Sequence, residues 1–357
     1  MISRNTWQFQ EEDKPEVVPL TKRRIILDTD PGGDDTFAIL WLQSLVNQGL
    51  AELLAVTTTG GNVAARRTFV STSQLLTLVG SQQVEVGRGV SMQTEAVADA
   101  AHIHGADGMG NLSHTLPIAG HDLETARDSD EILIDQLTAA PGEITLVAIA
   151  PLTNLAAAEL KCPGILKKAR DVVIMGGAFD CAGNITPHAE FNLFYNPEAA
   201  QTVFQSRDDS VVLPLDVTQH LIFTQEMAQS IYQINPDSAI AQFLVALCQF
   251  MTSTALSYRE TVGVHGFLVH DAATLAALFY PDTLTFQRSQ VQVETQGKWT
   301  RGQSLIDRRL GAKPNPNAWV AVQVDPAKFF TYLIEDLQRL VRTIAPNFQS
   351  PSPHARP

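Results

Sequence analysis

An α/β architecture, with an open and mostly parallel sheet flanked by helices, is what the pattern of this chain predicts. Three observations carry that expectation. Short runs rich in β-branched residues recur, most of the early gaps between them have helical periodicity, and the runs end in polar, mostly glycine-containing segments. Continuous apolar strands alternating with helices imply a parallel sheet covered on both faces. The segments that follow such strands share the carboxyl edge, where open α/β sheets bind their ligands.

The first run, 25–27, leads into Asp28-Thr-Asp-Pro-Gly-Gly-Asp-Asp35, and 37–46 follows with helical spacing. Residues 53–58 form the next strand, closed by Thr59-Gly-Gly-Asn62 and followed by a helical 68–78. A helix over 129–137 precedes the run 144–149, which ends in Ala150-Pro-Leu-Thr-Asn154. The run 172–175 stops at Gly176-Gly177, with a helix over 197–204 after it. The run 211–215 leads into Asp216-Val-Thr218, and 291–293 is a further short strand. Residues 240–255 and 330–344 read as long amphipathic helices added after the alternation. Residues 1–22 and 346–357 are polar, proline-containing and aperiodic, so a single domain over 23–345 between two flexible tails is expected.

Composition narrows the function. The 357 residues are 45% hydrophobic and 18% charged, which excludes a mainly disordered chain. Twenty-five Lys and Arg against 38 Asp and Glu leave a net charge of −13 with no basic block, a poor match to a phosphate backbone, so no nucleic acid is expected as partner. A metal cation or a neutral polar small molecule fits better. There is no uninterrupted apolar run of about 18 residues and no signal-peptide pattern, so no membrane partner is expected. Three scattered cysteines, Cys162, Cys181 and Cys248, suit a reduced cytoplasm rather than a disulfide framework.

The acidic cluster carries the chemistry. Asp28, Asp30, Asp34 and Asp35 put four carboxylates within eight residues directly after an apolar strand. Like charges this close resist ionising together and call for a cation or shared protons. Oxygen ligands select Ca²⁺ or Mg²⁺. Acidic helix capping is the ordinary alternative for any one of them. An EF-hand loop would need Glu at its twelfth position, where this chain has Ile39. A haloacid-dehalogenase-like phosphatase would have Thr two places after the second Asp, where this chain has Gly32.

Leu27-Asp-Thr-Asp-Pro-Gly-Gly-Asp-Asp35 resembles the N-terminal signature of the inosine-uridine-preferring nucleoside hydrolases, and further segments similar to that family follow in order. They are Thr57-Thr-Thr-Gly-Gly-Asn62, His104-Gly-Ala-Asp-Gly-Met-Gly110, Leu146-Val-Ala-Ile-Ala-Pro-Leu-Thr-Asn154, Met175-Gly-Gly, Gly183-Asn-Ile-Thr-Pro-His-Ala-Glu-Phe-Asn192 and Val269-His270-Asp271. The resemblance spans about residues 23 to 335. It implies a Rossmann-like nucleoside hydrolase fold, cleavage of the N-glycosidic bond of ribonucleosides to ribose and free base, one Ca²⁺, and assembly as a homodimer or homotetramer. By the same resemblance the metal ligands are Asp30, Asp35, Asp271 and the backbone carbonyl of Ile149, with Asp35 bidentate. Asp34, Asn62, Glu190 and Asn192 correspond to groups that bond the ribose hydroxyls, and Asn184 to a contact near the 5′ end. Met175 lies against the sugar, His104 and Phe191 line the pocket, and His270 matches a histidine that protonates the departing base. The chain departs from the family pattern at Ile149, Asn196 and Ala272, and 257–268, which frames the base, is its least family-like segment.

Chemistry of this kind needs a nucleophilic water, stabilisation of an oxocarbenium-like sugar and a better leaving group. Asp30 is the candidate general base and His270 the candidate acid, dividing attack and departure as two carboxylates do in glycosidases. His270 could otherwise be a core histidine, and His265 or Tyr258 could assist the base instead. Glu190 and Asn192 alternate, so an extended backbone would put them on one face, or else on a solvated strand edge. His188 reads as a loop residue, Asn154 as a helix or turn cap, and the glycines of 105–110 as shaping a mobile loop. Two rivals remain: a phosphatase using the Asp cluster, and a non-catalytic nucleoside binder on the same scaffold.

Overall fold

Side chains alternate across a strand, and that alternation divides the core of this protein in two. The computed structural model describes residues 22–90, 97–307, 309 and 315–343. In it β1 (Arg23–Thr29) sends Ile25 and Leu27 into one apolar cluster and Ile26 into another on the opposite face. β2 (Ala51–Thr58) and β3 (Glu85–Gly87) follow. In β4 (Ile144–Ala148) Leu146 and Ala148 face one cluster and Val147 the other, and β5 (Asp171–Met175) divides Val172 and Ile174 from Val173 and Met175 in the same way. Strands buried on both faces read as continuous apolar runs, which is why the sequence exposes them.

β6 (Ser210–Leu213) ends the parallel run that the sequence shows. The expected strand over 211–215 stops at Leu213 because Pro214 caps a short helix, Leu215–Thr218. Beyond it lie β7 (Ile222–Thr224), β8 (Gly266–Leu268), β9 (Leu284–Ser289), β10 (Val291–Val293), β11 (Ser304–Ile306) and β12 (Ala318–Val324). The central sheet has eight strands in the order β3-β2-β1-β4-β5-β6-β12-β9, and only β9 runs antiparallel to its neighbour. The strand at 291–293 lies outside this sheet, paired antiparallel with β11. Its central Gln292 is exposed between two buried valines, the pattern of a half-solvated ribbon rather than a core strand. β3, β9 and β12 complete the sheet although the sequence pattern did not single them out.

β1 sits between β2 and β4, so the chain builds outward on one side and then returns to build on the other. That reversal opens a crevice at the carboxyl ends of β1 and β4. Helix Gly33–Asn47 leaves β1 there and is buried along Gly33 to Leu45, enclosed by the sheet, helix Ala272–Phe279 and helix Pro326–Thr343. Helix Ala239–Tyr258 is long and apolar enough by composition to cross a membrane, but Ile240, Phe243, Leu244, Leu247 and Met251 are buried in the protein core, which accounts for its apolar character. The cysteines are free. Residues 1–21 and 344–357, which hold nearly all of the two expected tails, lie outside the described residues.

Candidate active site

The turn after β1 is organised by Asp35, the third residue of helix Gly33–Asn47. Its carboxylate accepts the backbone N–H of Gly32 at 2.9 Å and of Asp30 at 3.3 Å, closing the helix start as an acidic N3 residue does. Thr29 Oγ1 at 2.5 Å and Asn62 Nδ2 at 3.1 Å also donate to it, so both oxygens are fixed. Gly32 is required for close approach: a Cβ there would lie 2.6 Å from His104 Nδ1, the atom that accepts the Gly33 N–H at 3.0 Å.

Asp30 is held on one side only. Its Oδ2 accepts the Asn62 backbone N–H at 2.7 Å, while Oδ1 is buried with no partner. Asn62 spends its amide donors on the Asp30 carbonyl and Asp35 Oδ2, both at 3.1 Å, so it clamps the two aspartates together and only its Oδ1 is left for a sugar. Gly61 makes the clamp possible, because a Cβ there would stand 2.0 Å from Asp30 Oδ2. Gly61→Ala should therefore push Asp30 aside, costing about 1–3 kcal/mol in stability and lowering turnover at least about tenfold, the low end of what misplacing a catalytic group does. Denaturant unfolding and an activity assay check this; parent-like values in both would contradict it.

Asp34, Asp35 and Asp271 each present an oxygen within 4.8 Å of one another. Asp30 is not part of that set, and Asp34, assigned to the sugar by the resemblance, is. The Ile149 carbonyl accepts Asn192 Nδ2 at 3.2 Å, and Ile149 lines the same cavity as Asp34 and Asp271. Asp28 lies beneath, its Oδ1 bonded to Thr57 Oγ1 and Asn154 Nδ2, both at 2.6 Å, and its Oδ2 unpartnered. These five carboxylates are buried, and none forms an ion pair among the described residues. Desolvation pushes Asp28 up to about 7 and Asp34 up to about 8, and it raises Asp30, Asp35 and Asp271; the facing carboxylates raise Asp30, Asp34 and Asp271 further. Hard anionic oxygens, an orphaned buried oxygen and no protein cation fit a dication such as Ca²⁺.

The linkage has a definite sign. Folding raises Asp34 and Asp28 above the ordinary carboxylate value of about 3.9. Their contribution to stability is complete below that value and is lost as pH rises through about 7 to 8. In chelator the melting temperature should carry this fall, and Ca²⁺ at about 100 times its Kd should add about 2.7 kcal/mol at pH 7.5. Superimposable melting profiles with and without Ca²⁺ would contradict the site.

A cavity of about 260 Å³ opens over the cluster, lined by Asp34, Asn62, His104, Ile149, Met175, Asn184, Glu190, Phe191, Asn192, His270 and Asp271 among others, with no Lys or Arg among the described residues. Asp30 and Asp35 lie outside this lining. Glu190 and Asn192 do not alternate on a strand: Glu190 caps helix Phe191–Tyr195, accepting the N–H groups of Asn192, Leu193 and Gly177 at 2.8–3.2 Å. A carboxylate with three backbone partners is first a structural cap. Asn192 reaches the carbonyls of Ile149 and Met175, and Asn184 accepts the Phe191 N–H at 2.9 Å. His270 Nδ1 lies 2.7 Å from Thr218 Oγ1, and burial pushes its imidazole down to about 4. His104, half-buried with His270 nearby, is pushed by desolvation down to about 3, so both rings are neutral at pH 7.

Other expectations sort out by position. His188 and His265 are exposed and outside the cavity lining. Asn154 caps nothing; it ties Asp28 to the Thr58 carbonyl at 2.8 Å and accepts the Val90 N–H. The 105–110 loop is cross-tied by Asp107, whose carboxylate accepts the N–H groups of Met109, Asn111 and Ser113 at 2.8 Å each. The sequence reading passed over His102, Ile103, Met251 and Glu260, which also line the cavity. Only the unfamiliar character of 257–268 hinted at Glu260.

Residues 25–331 match the family described as inosine-uridine preferring nucleoside hydrolase. An inosine-uridine preferring nucleoside hydrolase of Leishmania major is 33% identical over 320 residues, covering 89% of this chain and 98% of the relative. A probable uridine nucleosidase of Oryza sativa subsp. japonica is 34% identical over 300 residues, covering 83% and 88%. Among solved structures, a plant nucleoside hydrolase superimposes with a TM-score of 0.79 at 31% identity, over 89% of this chain and 99% of its own.

Proposed function

The chain belongs to the inosine-uridine preferring nucleoside hydrolase family, and from that membership we propose that it hydrolyses the N-glycosidic bond of ribonucleosides at the β1–β4 crevice, giving ribose and free base. The observation that carries the mechanism is the set of buried carboxylates without a cationic partner, with Asp30 Oδ1 left free. Asp30, Asp35, Asp271 and the Ile149 carbonyl would hold a Ca²⁺. When bound, the ion supplies the missing positive charge and a fixed template for the sugar hydroxyls and the attacking water.

The chain's own groups do the rest. Asp30 takes the proton of the attacking water, for which its Oδ1 is the unused acceptor. Asp34, Asn62 through its Oδ1, and Asn192 face the ribose hydroxyls, Asn184 faces the 5′ end, and Met175 and Phe191 exclude water around the ring. The surrounding anionic oxygens favour positive charge developing on the sugar. With Nδ1 against Thr218, His270 presents Nε2 to the departing base. A bond forms from water oxygen to C1′, the bond from C1′ to the base nitrogen breaks, His270 in its protonated form gives that nitrogen its Nε2 proton, and the proton that Asp30 took from the water makes up the loss.

A phosphatase would need a partner for the phosphate, and no Lys or Arg among the described residues lines the cavity. Incubation with inosine, uridine and a phosphomonoester, with ribose, base and phosphate measured, should give ribose and base in equal amounts and no phosphate. Phosphate release would contradict the proposal, as would saturable nucleoside binding without products.

A further inference from the structure

We propose that Glu260 reads the base: its carboxylate accepts the ring N–H that uracil or hypoxanthine carries on the edge away from the sugar. This rests on the nucleoside hydrolase reading and deepens it.

Helix Ala239–Tyr258 ends on Arg259 in the left-handed conformation (φ 62°, ψ 29°), and the Glu260 N–H returns to the Ala255 carbonyl at 2.9 Å. This C-terminal motif fixes the turn after the helix. It brings Glu260 to the cavity wall together with Tyr258 and His102, whose rings meet edge to face at 5.1 Å. The rim thus offers flat aromatic surfaces beside one carboxylate, an arrangement suited to a planar heterocycle with a polar edge.

Glu260, exposed at the cavity rim, has no side-chain hydrogen bond and no ion pair, and no Lys or Arg lines the cavity with it, among the described residues. It lines the same cavity as Asp34, Asn62 and Asn192, so it belongs to the same enclosure as the sugar-facing groups. An ionised carboxylate only accepts hydrogen bonds. A base seated in the cavity can therefore bond this carboxylate only by donating to it. Uracil offers N3–H and hypoxanthine N1–H, whereas adenine N1 and cytosine N3 turn a lone pair toward the carboxylate.

The test compares kcat/KM for uridine, 3-methyluridine, inosine, 1-methylinosine and nitrophenyl riboside in the parent, Glu260→Ala and Glu260→Gln. A hydrogen bond to a charged group is worth about 10- to 100-fold, so Glu260→Ala should cost uridine, inosine or both that factor, chiefly through KM. The N-methyl substrates, already poor for the parent, and nitrophenyl riboside, which has no such N–H, should lose far less. Glu260→Gln, which keeps a carbonyl acceptor, should recover part of the loss. A loss confined to uridine or to inosine names the base that reaches Glu260. Equal losses for methylated and unmethylated substrates, or no loss at all, would overturn the inference. Failure of the parent to release base from any riboside would instead overturn the hydrolase reading beneath it.

Discussion

Asp30→Asn should lower kcat by at least about 10²–10⁴-fold, the usual worth of a general base. The substitution keeps shape and most local bonding. The amide oxygen can still accept the Asn62 N–H now received by Asp30 Oδ2, and the amide nitrogen then occupies the place of Oδ1. What disappears is the proton acceptor and one negative charge toward the metal. The fold should survive, as melting will show, while turnover collapses for good and poor leaving groups alike. Turnover close to that of the parent would remove Asp30 from the base role.

His270→Ala should depend on the leaving group. Hypoxanthine departs poorly without a proton, whereas nitrophenolate needs none. Inosine hydrolysis should therefore fall by about 10²-fold or more, on the scale of a general acid, and nitrophenyl riboside hydrolysis far less. Burial keeps the free imidazole neutral, so the proton His270 delivers is one it takes up during turnover, and with Nδ1 against Thr218 it is Nε2 that carries that proton to the base. Equal losses would mean that His270 acts only by orienting Asp271. No loss for either substrate would send the proton to another group.

Most of the architecture was legible because continuous apolar runs survive as sequence. Ile25, Ile26 and Leu27 must be apolar whichever face each one meets, and the same holds for 144–148 and 172–175. β12 and β9 were not, since neither is a continuous apolar run: β9 alternates part-buried and exposed residues, and β12 mixes the two unevenly. At the site, Asp30, Asp34 and Asp35 stood out through their spacing, the switch between β1 and β4 brings Ile149 beside them, and the start of helix Ala272–Phe279 brings Asp271. Hydrogen-bond bookkeeping was beyond the sequence. Asn62 and Glu190 could be named for the site, but not that Asn62 spends its donors on two aspartates or that Glu190 also caps a helix. Thr218, Asp107 and Glu260 carry no motif of their own; each acquires meaning only from what the fold sets beside it.

A crystal structure of the chain grown with Ca²⁺ and a non-hydrolysable nucleoside analogue tests the central claim most directly. The expected result is one ion bound by Asp30, Asp35, Asp271 and the Ile149 carbonyl at oxygen distances of about 2.3–2.6 Å, with the analogue's ribose against Asp34 and Asn192. An empty crevice at saturating Ca²⁺, or an ion held by Asp34, Asp35 and Asp271 with Asp30 still turned away, would contradict it.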